Sequence, residues 1–445
     1  MRAGLAALSL SIASMLSAAA GAAPPPDLVL FDGAPRPRVE VAAVAPDSAH
    51  PLHGDRVDAS AAIAGEFPGS EIALARSAGP AGGQALTLRW KNIWKSGVRL
   101  SGPSFDLRPY LARGTLALDL KVDTLDQGGI LFRVGCGDDC ERHVSYVVPG
   151  RAAQGKGWQR IVLSMSCFAR DGDDFGAVTR PFQLEGTGSG QVAIANVAFA
   201  QTGTPNTPCP DWRTVAVTPA TLDESWSISW WLPRHRQKIE DVRRMVAEGK
   251  SPQLVFIGDS ITQGWEKEGE GAAVWREHYA RHDALALGFG GDRTENVLWR
   301  LQHGEVDGID PKVAVLMIGT NNTGHRRDFP AITAAGIARN LEELKRRLPR
   351  TRILLLAIFP RDAQGDGPLR ALNAQVNARL PALADGRQVF HLDINQAFLR
   401  PDGTLPSGIM PDWLHPNETG YAIWARAMQP ELERLMALPR LQPRR

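Results

Sequence analysis

The second half of the chain alternates short apolar runs with amphipathic stretches, and this pattern constrains the fold more than any other feature. The apolar runs lie at residues 254–257, 284–287, 313–318, 352–358 and 388–392. Stretches of helical character lie near residues 294–303, 331–348, 369–383 and 418–436. Continuous apolar strands between amphipathic helices are typical of a parallel sheet covered on both faces. The sequence therefore predicts an α/β domain, which we place at residues 223–437.

The first half of the chain has the pattern of an all-β domain. Short strand-like runs, separated by clusters of Gly, Pro, Asp and Ser, lie at residues 85–90, 115–122, 129–134, 144–148, 159–163 and 191–198. This spacing is typical of a sandwich or jelly roll, and we place the domain at residues 27–200, without helices of useful length. Prolines in residues 201–222 predict an extended, non-helical linker. Residues 438–445 are predicted to form a tail.

The N-terminus has the composition of a secretory signal peptide, which we place at residues 1–23. Arg2 precedes an apolar run over residues 3–16, and Ala20-Gly21-Ala22 fits an A-x-A cleavage site. The run is shorter than the roughly 20 residues of a membrane span, and no later segment is long and apolar enough to be one. We therefore expect a periplasmic or secreted protein without an integral membrane segment.

Charge and cysteine content narrow the possible partners and cofactors. The chain has 50 basic and 48 acidic residues, a balance that argues against a nucleic-acid partner. Its four cysteines, Cys136, Cys140, Cys167 and Cys209, indicate two disulfides in an exported protein, and three pairings are possible. Proximity along the chain favours Cys136–Cys140 with Cys167–Cys209. The alternative, a zinc site, lacks a C-x-x-C pair.

A serine that follows the first apolar strand is the strongest candidate for a nucleophile. Leu254–Ile257 runs directly into Gly258-Asp259-Ser260, and the residues after it can begin a helix. A serine at such a strand-to-helix turn presents its hydroxyl at a surface corner. Thr262 stands where the Gly-x-Ser-x-Gly pattern needs its second glycine, so a different serine-hydrolase scaffold is indicated. We interpret Asp259 as a residue that braces this turn.

A serine hydroxyl needs a base, and the base works best when a third group fixes its tautomer. Of the ten histidines, only His415 lies in the loop Pro411-Asp-Trp-Leu-His-Pro416, where Asp412 stands three residues before it. Alone this D-x-x-H spacing occurs often by chance, but Ser260 and this loop both follow predicted strands. We therefore predict Ser260, His415 and Asp412 to be catalytic.

Three donors are candidates for an oxyanion hole. The backbone N–H of Ser260 is the first, and the backbone N–H of Gly291, after the second strand, is another because glycine permits close approach. The side-chain amide of Asn321, after the third strand, is the third. Since ligands bind beyond the carboxyl ends of parallel strands, these residues are expected at one edge of the sheet.

These residues carry a resemblance to a known family. Four parts of the chain are similar to the four blocks of the GDSL, or SGNH, hydrolases: Gly258-Asp-Ser260, Gly291, Asn321 and Asp412-x-x-His415. Residues 289–301 and 318–322 resemble the catalytic subunits of platelet-activating-factor acetylhydrolases in particular. The resemblance implies a three-layer α/β/α, flavodoxin-like fold and ester hydrolysis through an acyl-serine, with no metal or other cofactor.

The N-terminal half carries a second resemblance. Three stretches look like parts of the galactose-binding-like module at the C-terminus of some family 3 exo-β-glucanases. They are residues 136–140, 166–169 and 178–182. That resemblance implies a sandwich associated with carbohydrate processing. The resemblance does not extend to the catalytic carboxylates of those enzymes, which lie in other domains.

Several tryptophans have two interpretations. Trp265 and Trp413 flank the reactive residues and would either stack on a sugar ring or wall the pocket. Trp90 and Trp94 could also stack on sugars, although half-buried packing is the commoner role of such residues. Three further tryptophans are expected to pack the first helix of the α/β domain onto its sheet, namely Trp226, Trp230 and Trp231.

Taken together, these observations predict an exported two-domain esterase that removes ester-linked groups, most simply acetyl groups, from an acylated carbohydrate. One alternative is a lysophospholipase or thioesterase of broad specificity. Another is a non-catalytic glycan-binding protein built on a hydrolase scaffold.

Overall fold

The computed structural model describes residues 27–65, 68–137 and 140–442 of the chain. The predicted signal peptide, and residues 443–445 of the predicted tail, lie outside the described residues. An antiparallel β-sandwich is followed by a domain with a parallel sheet covered by helices, so both fold predictions are confirmed. No helix in the described part of the chain combines the length and the apolar character of a membrane span.

The described part of the N-terminal domain contains eleven strands, and every pair of neighbours is antiparallel. They are β1 Leu28–Phe31, β2 Glu40–Ala45, β3 Ser48–Pro51, β4 Arg56–Asp58, β5 Glu71–Ala78, β6 Gln84–Ser101, β7 Thr115–Asp126, β8 Ile130–Gly135, β9 Glu141–Ser145, β10 Trp158–Ser164 and β11 Phe182–Ala200. Alternate apolar residues of these strands fill a single core. The strands from β1 to β5 were not predicted beforehand, because most of them are short.

The two longest strands, β6 and β11, contribute to both layers of the sandwich. Residues 182–186 of β11 pair with the end of β6 and with β8, whereas residues 189–200 pair with β7. Between these parts the register shifts twice, from Gly186 to Gly188 and from Gly188 to Gly190. Because β-bulges bend a strand, these shifts form a corner where β6 and β11 pass from one layer to the other.

One predicted strand of the sandwich is partly wrong. The strand expected at residues 144–148 ends at Ser145, and a helix, α1 Val147–Ala153, begins two residues later. Gly150 of this helix packs closely on Ile130 and Tyr146. Tertiary packing has therefore overridden the β-propensity of the valines in this segment.

Two disulfides join the four cysteines. Cys136 is bonded to Cys140, and Cys167 to Cys209, with Cα–Cα separations of 5.0 and 5.7 Å. This is the pairing that proximity along the chain favours. The second bond attaches the sandwich to the linker and closes a loop of 42 residues, which by loop-closure entropy stabilises the fold by about 4 kcal/mol.

The C-terminal domain has five parallel strands between two layers of helices. The strands are β12 Leu254–Gly258, β13 Leu285–Gly288, β14 Val313–Met317, β15 Arg352–Leu356 and β16 Val389–Leu392. The helices are α2 Trp231–Ala247, α3 Ser260–Gln263, α4 Ala272–His278, α5 Thr294–Gln302, α6 Thr320–His325, α7 Pro330–Arg347, α8 Pro368–Asn377 and α9 Glu418–Ala437. Alternate residues of β12 face opposite cores: Phe256 packs with Trp424 and α9, and Ile257 packs with Ile337 of α7.

The strand order, β13-β12-β14-β15-β16, decides where a site can form. The chain passes from β12 to β13 on one side and then to β14 on the other side of β12. Such a reversal is a topological switch point, where loops diverge and leave a crevice beyond the carboxyl ends of the strands. Ser260 follows β12 and therefore lies at this crevice.

The linker is bonded to the C-terminal domain and is not a free tether. It contains a short 3-10 turn, Val215–Val217, where non-helical backbone was predicted. The turn forms because Ala216 is fully buried and its carbonyl oxygen accepts a hydrogen bond from Thr294 Oγ1 at 2.9 Å. Further along, the backbone N–H of Ala220 donates to the carbonyl oxygen of Glu295 at 3.2 Å.

Candidate active site

The turn after β12 is shaped by a close backbone approach at Gly258 and by a helix cap at Asp259. A Cβ atom at Gly258 would collide with the carbonyl oxygen of Met317 and with Thr262 Oγ1. The next residue, Asp259, caps α3, because its Oδ1 accepts a hydrogen bond from the backbone N–H of Ile261 at 3.0 Å. Ser260 is thus the first helical residue, and its side chain lies at the edge of the sheet.

The structure brings Ser260, His415 and Asp412 together. Ser260 Oγ lies 2.9 Å from His415 Nε2, and His415 Nδ1 lies 2.6 Å from Asp412 Oδ2. A carboxylate only accepts hydrogen bonds, so Nδ1 carries the imidazole proton and Nε2 is free to accept the hydroxyl proton of the serine. This is the arrangement of a nucleophile, a general base and a group that orients the base.

Asp412 is held by its own loop. Its Oδ1 accepts hydrogen bonds from the backbone N–H groups of Leu414 and His415, at 3.0 and 2.7 Å. The loop turns at Trp413, which has a φ of 54°. Partial burial opposes the charged form, but the hydrogen bonds from His415 outweigh that cost and place the pKa of Asp412 below its ordinary value. Asp412 is therefore ionised in the neutral pH range.

The two other candidate oxyanion donors lie on adjacent loops. Gly291 has a φ of 75°, a conformation that favours glycine. Asn321 is buried at the start of α6, and its Nδ2 donates to the carbonyl oxygen of Asp292 at 3.0 Å. One N–H of this amide is thereby fixed while the other is left to donate. The backbone N–H of Gly290 donates to Gln263 Oε1 at 2.7 Å, which ties this loop to α3.

A buried ionic cluster below the site was not found from the sequence. The guanidinium of Arg300 is fully buried and forms an ion pair with Glu305. It also donates hydrogen bonds to Asp292 Oδ2 at 2.8 Å and to the carbonyl oxygen of Gly258 at 3.2 Å. Burial opposes the charged guanidinium, but the two carboxylates raise the pKa of Arg300. Asp292 also accepts a hydrogen bond from Trp231 Nε1 at 2.6 Å. The cluster holds the loop after β13 against the end of β12.

Two predictions about tryptophans need correction. Trp265 is only 1% exposed and packs against Tyr421 and Trp424, with ring centroids 4.5 and 4.7 Å away, so the first of its two interpretations, stacking on a sugar, is wrong. It faces inward because α3 and the turn after it pack on α9. Trp226, predicted to pack a helix onto the sheet, is instead 47% exposed. Trp413 is 43% exposed beside His415 and stays a candidate for substrate contact.

Trp226 lies directly against Gly291. A Cβ atom at Gly291 would collide with the indole ring, so the ring borders the loop that carries a candidate oxyanion donor. Its neighbours are Trp230, with ring centroids 6.4 Å apart, and His325, at 6.0 Å. Nothing in the sequence distinguishes Trp226 from the neighbouring tryptophans, because its position depends on the path of the chain before α2.

Comparisons with known proteins match both halves of the chain. Residues 256–423 match the model of the GDSL-like lipase/acylhydrolase family, and residues 58–199 match the galactose-binding domain-like model. The α1 subunit of platelet-activating factor acetylhydrolase IB from Homo sapiens is 36% identical over 208 residues, which cover 46% of this chain and 84% of that subunit. The α2 subunit from Rattus norvegicus is 35% identical over 211 residues, covering 46% and 85%.

A solved structure, the extra C-terminal domain of an exo-1,3/1,4-β-glucanase from a Pseudoalteromonas species, aligns with 13% identity and a TM-score of 0.33. The alignment covers 41% of this chain and 98% of that domain. Both resemblances noted in the sequence are confirmed by the two family models.

Proposed function

Because the chain belongs to the GDSL-like lipase/acylhydrolase family and is a carboxylic ester hydrolase, we propose that it is an exported esterase that removes acetyl groups from carbohydrates. The observation that carries this proposal is the series of hydrogen bonds from Ser260 through His415 to Asp412, in a chain that also has a galactose-binding-like domain. Two disulfides suit an oxidising compartment, in agreement with the predicted signal peptide.

The proposed reaction follows from the geometry of the site. Ser260 Oγ attacks the ester carbonyl carbon while His415 Nε2 takes its proton, and Asp412 stabilises the imidazolium that forms. The backbone N–H groups of Ser260 and Gly291 and the side-chain amide of Asn321 donate to the oxyanion. His415 then gives its proton to the departing sugar hydroxyl, and the acetyl group remains on Ser260. Water, deprotonated by His415, then attacks the acetyl-serine, and His415 returns that proton to Ser260 Oγ as acetate leaves.

Access to the site favours a bulky leaving group. The side chains of His415 and Asp412 remain 37% and 55% exposed, so the alcohol part of an ester can extend into solvent beside them. An oligosaccharide or polysaccharide carrying an acetyl ester fits this opening. The names of the acetylhydrolase relatives suggest a second candidate substrate, platelet-activating factor, which the same chemistry would serve.

The proposal is tested by measuring acetate release from 4-nitrophenyl acetate, acetylated glycans and platelet-activating factor. We expect release by the wild type, preference for acetylated glycans, and a loss of about 10⁵-fold or more in kcat for Ser260→Ala. Equal release by Ser260→Ala would refute the mechanism. Activity that rises with acyl-chain length would favour a lysophospholipase or thioesterase, and failure of a fluorophosphonate probe to label Ser260 would favour a non-catalytic protein.

A further inference from the structure

A cleft between the sandwich and the hydrolase domain contains two exposed tryptophans, one from each side. We propose that Trp94 and Trp226 form a sugar-binding subsite that continues the active site, so that the sandwich binds part of a neutral glycan chain directly. The inference rests on the proposed function, because it concerns the substrate of the same site.

The cleft has the size and composition of a ligand site. Its volume is about 630 Å³, within the usual range of ligand pockets of roughly 300–1,000 Å³. Trp94 is 55% exposed and Trp226 is 47% exposed, and both line the cleft. Tryptophans normally bury most of their surface, so two exposed indole rings in one cleft indicate a surface that a ligand covers.

The corner of the sandwich explains why Trp94 is exposed. The bulges of β11 lie opposite the middle of β6, where Gly188 pairs with Ile93, and bulges re-aim the side chains of the bent strand. Trp90, four residues earlier, is instead buried, with its Nε1 donating to the carbonyl oxygen of Thr187 at 3.0 Å. Trp90 therefore has the packing role expected of it, whereas Trp94 does not.

The backbone around Trp94 is held in an unusual conformation. Asn92 and Gln127, which both line the cleft, have φ values of 47° and 48°. Non-glycine residues are uncommon in this region, and they persist where surrounding contacts fix them, often at binding sites. Here the backbone N–H of Asn92 donates to Ser189 Oγ at 2.9 Å. The cleft is thus preformed rather than created by binding.

Trp226 joins the cleft to the active site. Trp226 lines the cleft, and its indole ring also lies against Gly291, whose loop is tied to α3 through Gln263. Trp226 is therefore shared between the cleft that contains Trp94 and the loop that carries a candidate oxyanion donor. A glycan bound in the cleft would thus lie next to the loop that carries Gly291.

The chemistry of the cleft favours a neutral carbohydrate. None of the residues that line it carries a charge, and apart from the tryptophans they include the amides of Asn92 and Gln127 and the hydroxyl groups of threonine and serine. Amides and hydroxyls pair with sugar hydroxyls, whereas an acyl chain would leave them unsatisfied. Burial and the nearby Arg293 lower the pKa of His325 to about 4, so the imidazole beside Trp226 is neutral at pH 7.

The test compares full-length wild type with Trp94→Ala, Trp94→Tyr and Phe329→Ala. Phe329 is 42% exposed and does not line the cleft, so its removal is a matched control. The substrates are 4-nitrophenyl acetate, acetylated xylooligosaccharides as neutral glycans and O-acetylated pectin oligosaccharides as anionic ones. A second arm measures binding of unacetylated xylohexaose to a Ser260→Ala protein with and without Trp94→Ala by titration calorimetry.

We expect Trp94→Ala to raise KM for the neutral glycan about tenfold at constant kcat, as loss of uniform binding does. Turnover of 4-nitrophenyl acetate should stay within about twofold of wild type, because that substrate is too small to reach Trp94. The tyrosine variant should restore KM to within about threefold, since a ring is retained, and Phe329→Ala should behave like wild type.

Failure of this inference can be separated from failure of the proposed function. Unchanged KM for the neutral glycan in Trp94→Ala, or no binding of xylohexaose by the Ser260→Ala protein, would overturn the subsite even if Ser260 is the nucleophile. A larger effect of Trp94→Ala on pectin than on xylooligosaccharides would overturn the assignment to neutral glycans. The esterase proposal fails separately, if Ser260→Ala retains turnover of 4-nitrophenyl acetate.

Discussion

Replacing Asp412 with asparagine isolates the part of the site that selects a histidine tautomer. An asparagine can keep its oxygen toward the backbone N–H groups of Leu414 and His415, which now donate to Oδ1 at 3.0 and 2.7 Å. Its NH₂ group then replaces Oδ2, 2.6 Å from His415 Nδ1. Because an NH₂ group donates, Nδ1 must become the acceptor and the proton moves to Nε2. Nε2 can then no longer accept the proton of Ser260.

The size of the effect follows from the exposure of this pair. In a buried Ser-His-Asp triad the same change lowers kcat by about 10⁴, which corresponds to roughly 5.5 kcal/mol. Here the side chain of Asp412 is 55% exposed, so water can partly replace the carboxylate in stabilising the imidazolium of His415. We expect Asp412→Asn to lower kcat for 4-nitrophenyl acetate by about 10³, or roughly 4 kcal/mol.

The matched control is Asp412→Ala, which removes the carboxylate but leaves His415 free to adopt either tautomer. We expect it to retain about tenfold more activity than Asp412→Asn, although it loses all three hydrogen bonds of the aspartate. Both variants are assayed at several pH values, with thermal unfolding as a check on the fold. A kcat for Asp412→Asn within about threefold of wild type would refute the tautomer argument.

Two further predictions concern the neighbouring loops. Gly291→Ala forces a side chain into a backbone with a φ of 75° and against Trp226, so kcat for 4-nitrophenyl acetate should fall by about 10²–10³. Adding Trp226→Ala should recover only the part caused by the collision, and unchanged kcat in Gly291→Ala alone would argue against an oxyanion donor there. Complete burial raises the pKa of Asp259 to about 7, above its value of about 4 in the unfolded chain. The buried carboxylate lowers the free energy of unfolding only when it is ionised. This destabilisation is therefore absent below about pH 4, grows up to about pH 7 and is constant above. Asp259→Asn should therefore raise the free energy of unfolding at pH 9 by up to roughly 4 kcal/mol and leave it nearly unchanged at pH 4, as urea denaturation would measure. The same difference at both pH values would contradict this reasoning.

The features that were predictable from the sequence are those with local causes. The residues that bring Ser260 to the edge of the sheet are contiguous: an apolar strand, a glycine and a capping aspartate. Asp412 and His415 likewise lie within one loop, which places His415 Nδ1 2.6 Å from Asp412 Oδ2. The alternation of strands and helices was enough to predict the parallel sheet, because burial on both faces requires it.

The features that were not predictable depend on contacts between distant parts of the chain. Trp265 and Trp226 are both tryptophans near reactive residues, yet one is 1% and the other 47% exposed. Their difference arises from α9, which covers the first, and from the path of the linker, which leaves the second uncovered. Arg300 gave no signal either, because its partners Asp292 and Glu305 meet it only when α5 packs beneath the loop after β13.

The bonded linker has a consequence for how a polymeric substrate would be positioned. Hydrogen bonds at Ala216 and Ala220 fix this segment to α5, so the separation between Trp94 and Ser260 does not vary as it would across a flexible tether. A glycan held at both points would therefore sit in a single register. Which sugar along the chain loses its acetyl group would then be dictated by a stretch of backbone that touches neither the glycan nor the ester.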